Sequence, residues 1–345
     1  MTVSTLENEY KKLVDLLGDK ILKLNNKSFF ITGATGLVAS YLVDFIIWYN
    51  TIYSQNIYAY AVSSKLEKLQ KRFKANKNLC FIEQNLNEPL KKKYEADYII
   101  HAASNSHPLA FSKDPVGTMK TNLTGTMNLL EMIKDTATCF LYISTGEVYG
   151  NNTNKPFTED DFGMIDSKLV RSCYPESKRA AETLCMSYNH QYNIKANILR
   201  LCYVYGAAIT SESSRADAQF LRNALNGEKI IMKSEGLQKR TYCYVADAVY
   251  AMLYVILYGK DSQVYNVANP NSIASIREYA ETLSELAEVS LQFEIPDEIE
   301  NQGYSKSLDS ILDASKLMDL GWQPQYDLKT GLSHTLMIKK EEKHV

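Results

Sequence analysis

The feature that most constrains this chain is one junction. The β-branched and aromatic run SFFIT (28–32) leads directly into GATGLVA (33–39), and an apolar helical pattern begins near Leu37. Gly33 and Gly36 sit at the turn, where glycine permits positive φ and lets backbone N–H groups approach an anion at the positive end of a helix. Strand, glycine turn and helix in that order open a doubly wound sheet, and the pyrophosphate of a dinucleotide is what such a turn holds. The spacing is Gly-x-x-Gly-x-x-Ala rather than Gly-x-Gly-x-x-Gly, so the junction takes its weight from its surroundings.

Those surroundings alternate. Short strand-like runs recur at IYAYAV (57–62), CFIEQ (80–84), DYIIH (97–101), CFLYIS (139–144), ANILRL (196–201) and VYNV (264–267). Between them, apolar residues spaced by three and four predict helices at 37–50, 65–76, 117–134 and 175–192. Strands alternating with helices imply an α/β fold, a Rossmann-type parallel sheet covered on both faces. After residue 206 the alternation gives way to the polar loop AAITSESSRAD (207–217), a helix near 217–226, the loop SEGLQKRTY and a helix from 245. The expectation is a dinucleotide-binding domain of residues 1–202 with about 242–270 and 310–322, and a smaller, discontinuous substrate domain of about 203–241, 271–309 and 323–345. A helix of about residues 5–23 precedes the first strand, and the bland reading is that it packs on the body.

With 345 residues and 45% hydrophobic content the chain can bury a substantial core. Its 38 basic and 40 acidic side chains leave a net charge of -2, which argues against a nucleic-acid partner and leaves a small molecule as the expected one. The N-terminus is charged and helical in pattern rather than a secretion signal, and Leu37 to Tyr49 carries Asp44 and is too short to span a bilayer. Six scattered cysteines without close pairs suit a reducing cytoplasm. His101, His107, His190, His334 and His344 show no metal-ligand spacing, so no metal is expected.

The chemistry is carried by two segments. In YPESKRAAETL the spacing of Tyr174 and Lys178 puts both on one helix face. A phenol has a pKa of about 10, and a neighbouring ammonium together with a positive nicotinamide would lower it toward neutrality. In STGEVYG (144–150) the strand CFLYIS delivers Thr145 and Glu147 to its C-terminal edge, where open α/β sheets bind ligands. Thr145 would align a substrate hydroxyl against Tyr174, and Glu147 is a candidate second acid or base. With 24 tyrosines, a chance Tyr-x-x-x-Lys is expected, a threonine after a strand is usually a helix cap, and Glu147 alone reads as a surface charge. Their joint order after the glycine loop is what gives them meaning. The second strand ends in Ser63, Ser64 and Lys65, with neither the carboxylate that holds the ribose of NAD nor an arginine for NADP, so NAD is preferred and NADP stays open.

In this order the chain resembles the extended short-chain dehydrogenase/reductases, in their NAD-dependent epimerase/dehydratase branch. The resemblance runs from the glycine loop to about Trp322 and rests on GATGLVA, HAAS (101–104), DPVGTMKTNLTGTMNLLE (114–131), STGEVYG, YPESK, RLCYVYG (200–206) and QKRTYCYVADAV (238–249). It implies Thr145, Glu147, Tyr174 and Lys178 as catalytic residues. For the cofactor it implies Gly33, Thr35, Gly36, Leu37, Val38, Ser63, Asn85, Leu86, His101, Ala102, Ala103, Ser104, Asn122, Ile143, Tyr174, Lys178 and Tyr203. For a nucleotide-sugar substrate it implies Ser104, Thr145, Gly146, Glu147 and Arg240, the last reaching the diphosphate. It also implies a homodimer through the helices at 117–134 and 175–192.

RSCYPESKRAAETLC and STGEVYG look most like UDP-glucuronate decarboxylases and their dehydratase relatives. Three positions depart from the patterns. Gly146 stands where 4,6-dehydratases have an aspartate, Tyr203 where an asparagine helps bind the diphosphate, and Ser177 where decarboxylases have glycine and many epimerases have serine. The expected reaction passes through a transient 4-keto sugar and ends in decarboxylation or 4-epimerisation, with 4,6-dehydration as the alternative. From other classes, a catalytically silent NAD-binding regulator and an NADPH-dependent ketoreductase remain as rivals.

Overall fold

A computed structural model describes residues 4–106, 108–150, 155–209, 213–294 and 309–343. His107, His344, part of the loop 207–217 and most of 295–309 in the expected domain division therefore lie outside the described residues.

Seven strands form the central sheet: β1 (Ser28–Thr32), β2 (Tyr58–Ser63), β3 (Leu79–Glu83), β4 (Tyr98–His101), β5 (Cys139–Thr145), β6 (Lys195–Leu201) and, after the three strands named below, β10 (Val264–Val267). Their order is β10-β6-β5-β4-β1-β2-β3, and every neighbouring pair is parallel. The chain steps outward from β1 to β3 and then returns to β4 on the other side of β1. The direction of winding thus reverses between β1 and β4, and a crevice opens at their carboxyl ends.

The helices that cover the sheet follow the sequence pattern. α1 (Thr5–Leu17) precedes β1, α2 (Leu37–Ile52) and α3 (Leu66–Arg72) follow β1 and β2, and α4 (Pro108–Lys113) and α5 (Pro115–Ile133) follow β4. α6 (Cys173–Tyr192) joins β5 to β6. Asp114 caps α5 by accepting from the Gly117 N–H at 2.9 Å, with Pro115 in the first turn, where its missing N–H costs nothing. Alternation along β1 sorts the core into two layers. Phe29 and Ile31 pack with α1, α2 and α8 (Val245–Tyr258), whereas Phe30 packs on the other face with Leu129 and Leu130 of α5 and Ala181 and Cys185 of α6.

Two expected helices are shorter than their patterns. The N-terminal one ends at Leu17, because Gly18 takes φ +55, and continues as the 3-10 helix Gly18–Leu24. The one expected at 65–76 is α3, which stops before Phe73, whose extended backbone turns its ring into the core.

The rest of the chain forms two small sheets. β7 (Tyr203–Tyr205), β9 (Lys239–Tyr244) and β11 (Ile273–Ser275) make one, in the order β11-β9-β7, and β8 (Ile230–Met232) pairs with β12 (Leu291–Phe293) in the other. α7 (Ala216–Leu225) and α9 (Ile276–Ala287) pack together beside them. The stretch from Ser310 returns to the body: Ser310 bridges Arg240, Leu312 bridges Phe157, and Trp322 is fully buried. The C-terminal helix Leu328–Lys343 lies against α1. No helix among the described residues is long and apolar enough to cross a membrane.

Candidate active site

The crevice at the carboxyl edge is a cleft of about 1580 Å³ that runs from Ser63 past the glycine loop to Tyr174 and on to Arg240. Its floor is the turn after β1. Gly33 has φ +66, and a Cβ placed on it would come within 2.8 Å of the Ala103 backbone, so only glycine lets the segment after β4 lie against the loop. Gly36 caps α2 without any side-chain cap, which leaves the first N–H groups of a 16-residue helix open to an anion. The Thr32 hydroxyl ties the two loops together, accepting from the Ala103 N–H at 3.2 Å and sharing a 2.8 Å hydrogen bond with His101 Nδ1. These residues fit the pyrophosphate of a dinucleotide.

At the other end, β5 and α6 bring the chemical groups together. Thr145 is the last residue of β5, and its hydroxyl accepts from the Glu147 N–H at 3.2 Å. Tyr174 and Lys178 project from the first turns of α6 into the same corner, only 7% and 2% exposed. The Tyr174 ring stacks on Phe111 with centroids 4.6 Å apart. Behind them, Ser144 donates to Glu182, which forms a buried ion pair with Arg200 at 2.7 Å and so locks β5, α6 and β6 to one another.

Burial sets the electrostatics of this corner. It raises the Tyr174 phenol well above its ordinary value, and the Glu147 charge acts in the same direction. A hydrogen bond with Thr145 and the charges of Arg215 and Arg171 pull it back only partly. Burial also lowers Lys178 to about 7. Its ammonium does not reach for the phenol: Nζ donates to the Ile143 carbonyl at 2.7 Å and lies 4.7 Å from the Tyr142 ring centre. The expected lowering of the Tyr174 phenol requires the ammonium together with a positive nicotinamide; in the free protein burial is the largest influence and holds the phenol high. His101 is held neutral, its pKa lowered to about 3 by burial and then by the Lys178 charge.

Of the residues singled out in the sequence, Gly33, Thr35, Gly36, Leu37, Val38, Ser63, Asn85, Leu86, Ala102, Ala103, Ser104, Ile143, Thr145, Gly146, Glu147, Tyr174, Lys178, Tyr203 and Arg240 line this one cleft. His101 and Asn122 do not. His101 lies fully buried beneath the loop, and Asn122 is buried between α5 and α6, donating to the Ser177 hydroxyl at 2.9 Å. Both act on the cleft only through the groups they hold.

Four further residues complete the wall. Arg171 pairs with Glu147 at 2.7 Å and lies over the Phe111 ring. Arg215, paired with Asp217, packs with Arg240 on the Tyr203 ring, at 5.7 and 4.2 Å from its centroid. Leu312 fills the space beside Gly146, where an added Cβ would meet its Cδ1 at 2.8 Å. Arg171 stands three residues before Tyr174 inside RSCYPESK and was within reach of the sequence, whereas Phe111, Arg215 and Leu312 carry no spacing signal. Among the described residues no group of three or more His, Cys, Asp or Glu side chains is placed to hold a metal ion.

A glycine loop at the winding reversal, with a buried Tyr/Lys pair facing a strand-end threonine, is the arrangement of the extended short-chain dehydrogenase/reductases. The chain belongs to the NAD dependent epimerase/dehydratase family, whose model matches residues 29–268. It is 33% identical to UDP-glucuronic acid decarboxylase 3 of Arabidopsis thaliana over 89% of this chain and 87% of that one. Its fold is that of an epimerase from Methanothermobacter thermautotrophicus (TM-score 0.82, 17% identity, covering 95% and 96% of the two chains). It also matches that of the UDP-glucose 4-epimerase of Thermotoga maritima (TM-score 0.76, 23% identity, 92% and 99%).

Proposed function

We propose that the chain oxidises the C4 hydroxyl of a nucleotide sugar reversibly, and that its net reaction is loss of a C5 carboxylate. The observation that carries this is the convergence of Thr145, Tyr174 and Lys178 on one water-poor corner of the cleft that begins at the glycine loop. NAD, the cofactor of the family, would lie along Gly33, Gly36 and Ala103; it supplies an acceptor for the C4 hydride and returns that hydride later.

Thr145 orients the substrate hydroxyl and Tyr174 takes its proton, which requires the phenol to be brought down from the high value of the free protein. The positive charge that arrives with the oxidised cofactor, added to that of Lys178, is the available source. With a ketone at C4, the C5–carboxylate bond breaks, carbon dioxide leaves, and its electron pair passes into the enolate. A proton delivered to C5, the hydride that the cofactor would give back to C4 and the return of the Tyr174 proton to the C4 oxygen complete the product. Glu147, ion-paired with Arg171 on the cleft wall, is the carboxylate that would relay that proton from solvent. Similarity to the decarboxylase supports this reaction. Six-position dehydration is disfavoured because Gly146 has no side chain to donate and Leu312 occupies the space one would need.

Epimerisation at C4 is the second reading, favoured by Ser177, whose hydroxyl donates to the Cys173 carbonyl and accepts from Asn122, a packing that glycine could not provide. Mass spectrometry after exposure to UDP-glucuronate and a nucleotide-sugar panel separates the cases. A product lighter by carbon dioxide supports the first reading, and one of unchanged mass but altered retention supports the second. Turnover of no sugar overturns both in favour of a silent regulator, and stoichiometric consumption of added NADPH with a plain ketone points to a reductase.

The same proposal includes the domain division given above, supported by the small sheets lying outside the parallel one. It includes a homodimer through α5 and α6, supported by Val116, Met119 and Met127, which α5 leaves exposed. A reducing cytoplasm is supported by six unpaired cysteines.

A further inference from the structure

The far end of the cleft departs from what the family's cofactor leads one to expect. In this architecture the adenosine ribose lies beside the end of the second strand, where a carboxylate takes the 2′-hydroxyl of NAD and a cation the 2′-phosphate of NADP. Here β2 ends at Ser63, followed by Ser64, and both line the cleft without contributing a charge. The cations come from two other elements. α3 sets Lys68 and Lys71 on the wall, and the C-terminal helix adds Lys339.

Lys339 is brought there by the long-range packing of the chain's two ends. The Glu9 carboxylate of α1, fully buried, accepts from the Tyr41 hydroxyl and is paired with His334 Nδ1 at 2.7 Å, while the Thr5 hydroxyl donates to Glu341. The N-terminal helix thus fixes the C-terminal helix beside the cleft. Arg72, also on the wall, is committed to Asp44, and Lys339 has Glu342 at 2.6 Å. Glu67 is the one carboxylate that α3 puts on this stretch, exposed and followed by lysines one and four residues on.

We propose that this end is a phosphomonoester subsite, and that the chain binds NADP at least as tightly as NAD. The Ser63 and Ser64 hydroxyls donate to the 2′-phosphate, and Lys71 supplies its counter-charge, an arrangement in which a dianion gains more than a hydroxyl. The inference rests on the dinucleotide part of the proposed function and is independent of the sugar chemistry.

The test is calorimetric titration of the full chain with NADP, NAD and adenosine 2′,5′-bisphosphate. A dissociation constant for NADP equal to or below that for NAD, with the bisphosphate competing, is the expected result. Ser64→Asp should weaken NADP by about tenfold or more relative to NAD, and Lys71→Glu should weaken NADP about tenfold more than NAD. NAD binding more tightly than NADP to the wild-type chain, or Lys71→Glu weakening both alike, overturns the proposal. Binding of neither dinucleotide overturns the cofactor assignment itself, an outcome distinct from a preference for NAD.

Discussion

The corner around Tyr174 and the end around Ser63 belong to one cleft but are built by opposite means. Tyr174, Lys178 and His101 are almost without contact with solvent, and their ionisation follows from desolvation: the phenol is pushed up, the lysine down to about 7 and the histidine down to about 3. Ser64, Glu67 and Lys71 face water. There, charges act through a high dielectric and are weakened by salt. Proton transfer is placed where small displacements of charge are energetically large, and recognition of the cofactor's outer end where they are small.

The largest effect should come from the dry corner. Tyr174→Phe keeps the ring stacked on Phe111 and removes only the proton acceptor, so turnover should fall by roughly 10³-fold with the melting temperature and dinucleotide affinity unchanged. Near-normal turnover would remove Tyr174 from the chemistry altogether.

Lys178→Met tests the cause of the dryness. The unfolded chain holds the lysine proton up to about 10.5, whereas the folded chain releases it at about 7. The folded state is therefore penalised in full below pH 7, and the penalty fades as pH rises toward 10.5. Urea unfolding should find the variant more stable than the wild type at pH 6, by roughly 2 kcal/mol after the lost bond to the Ile143 carbonyl, with the gap closing by pH 10. A gap independent of pH would mean that Lys178 keeps its ordinary pKa.

Gly146→Ser probes the border between the corner and the rest of the cleft. The new Cβ would press on Leu312, which is 3% exposed and has little room to yield, so stability should drop by about 1–2 kcal/mol. Leu312→Ala in the same chain should recover the part due to collision. If thermal melting registers no loss in the single variant, the wall beside Gly146 is more pliant than its packing implies.

The residues that were legible in the sequence are those whose meaning is local. The glycine loop, the Tyr174/Lys178 spacing and the strand ending at Thr145 each depend on a few consecutive positions with a fixed period, and period is what one chain displays. Spacing could place Lys178 on the face of Tyr174, but it could not say that the ammonium turns to the Ile143 carbonyl. The contact between Gly146 and Leu312, and that between Glu9 and His334, join segments far apart in the chain. Only the fold brings such residues together, so the N-terminal helix had no readable role until His334 was seen to meet its buried carboxylate. Helix ends failed for a similar reason: Phe73 leaves α3 because the core takes its ring, a tertiary demand that overrides the helical pattern up to 76.

The smallest effect belongs to the wet end. Burial raises the Asp44 carboxyl above its ordinary value while Arg72, partly exposed, pulls it back. Arg72→Gln removes that restraint. Because the raised pKa makes the folded chain hold a proton that the unfolded chain has lost, stability declines as pH climbs through and beyond 3.8, and losing Arg72 steepens the decline. The cost at neutral pH should stay below about 1 kcal/mol and shrink as salt is added, measured as a shift in the urea midpoint at low and high ionic strength. The Lys178 effect should show no such salt dependence, since it arises from the absence of water rather than from a partner's charge. Equal salt sensitivity at the two positions would mean that the corner around Tyr174 is open to solvent, and the contrast between the ends of the cleft would be lost.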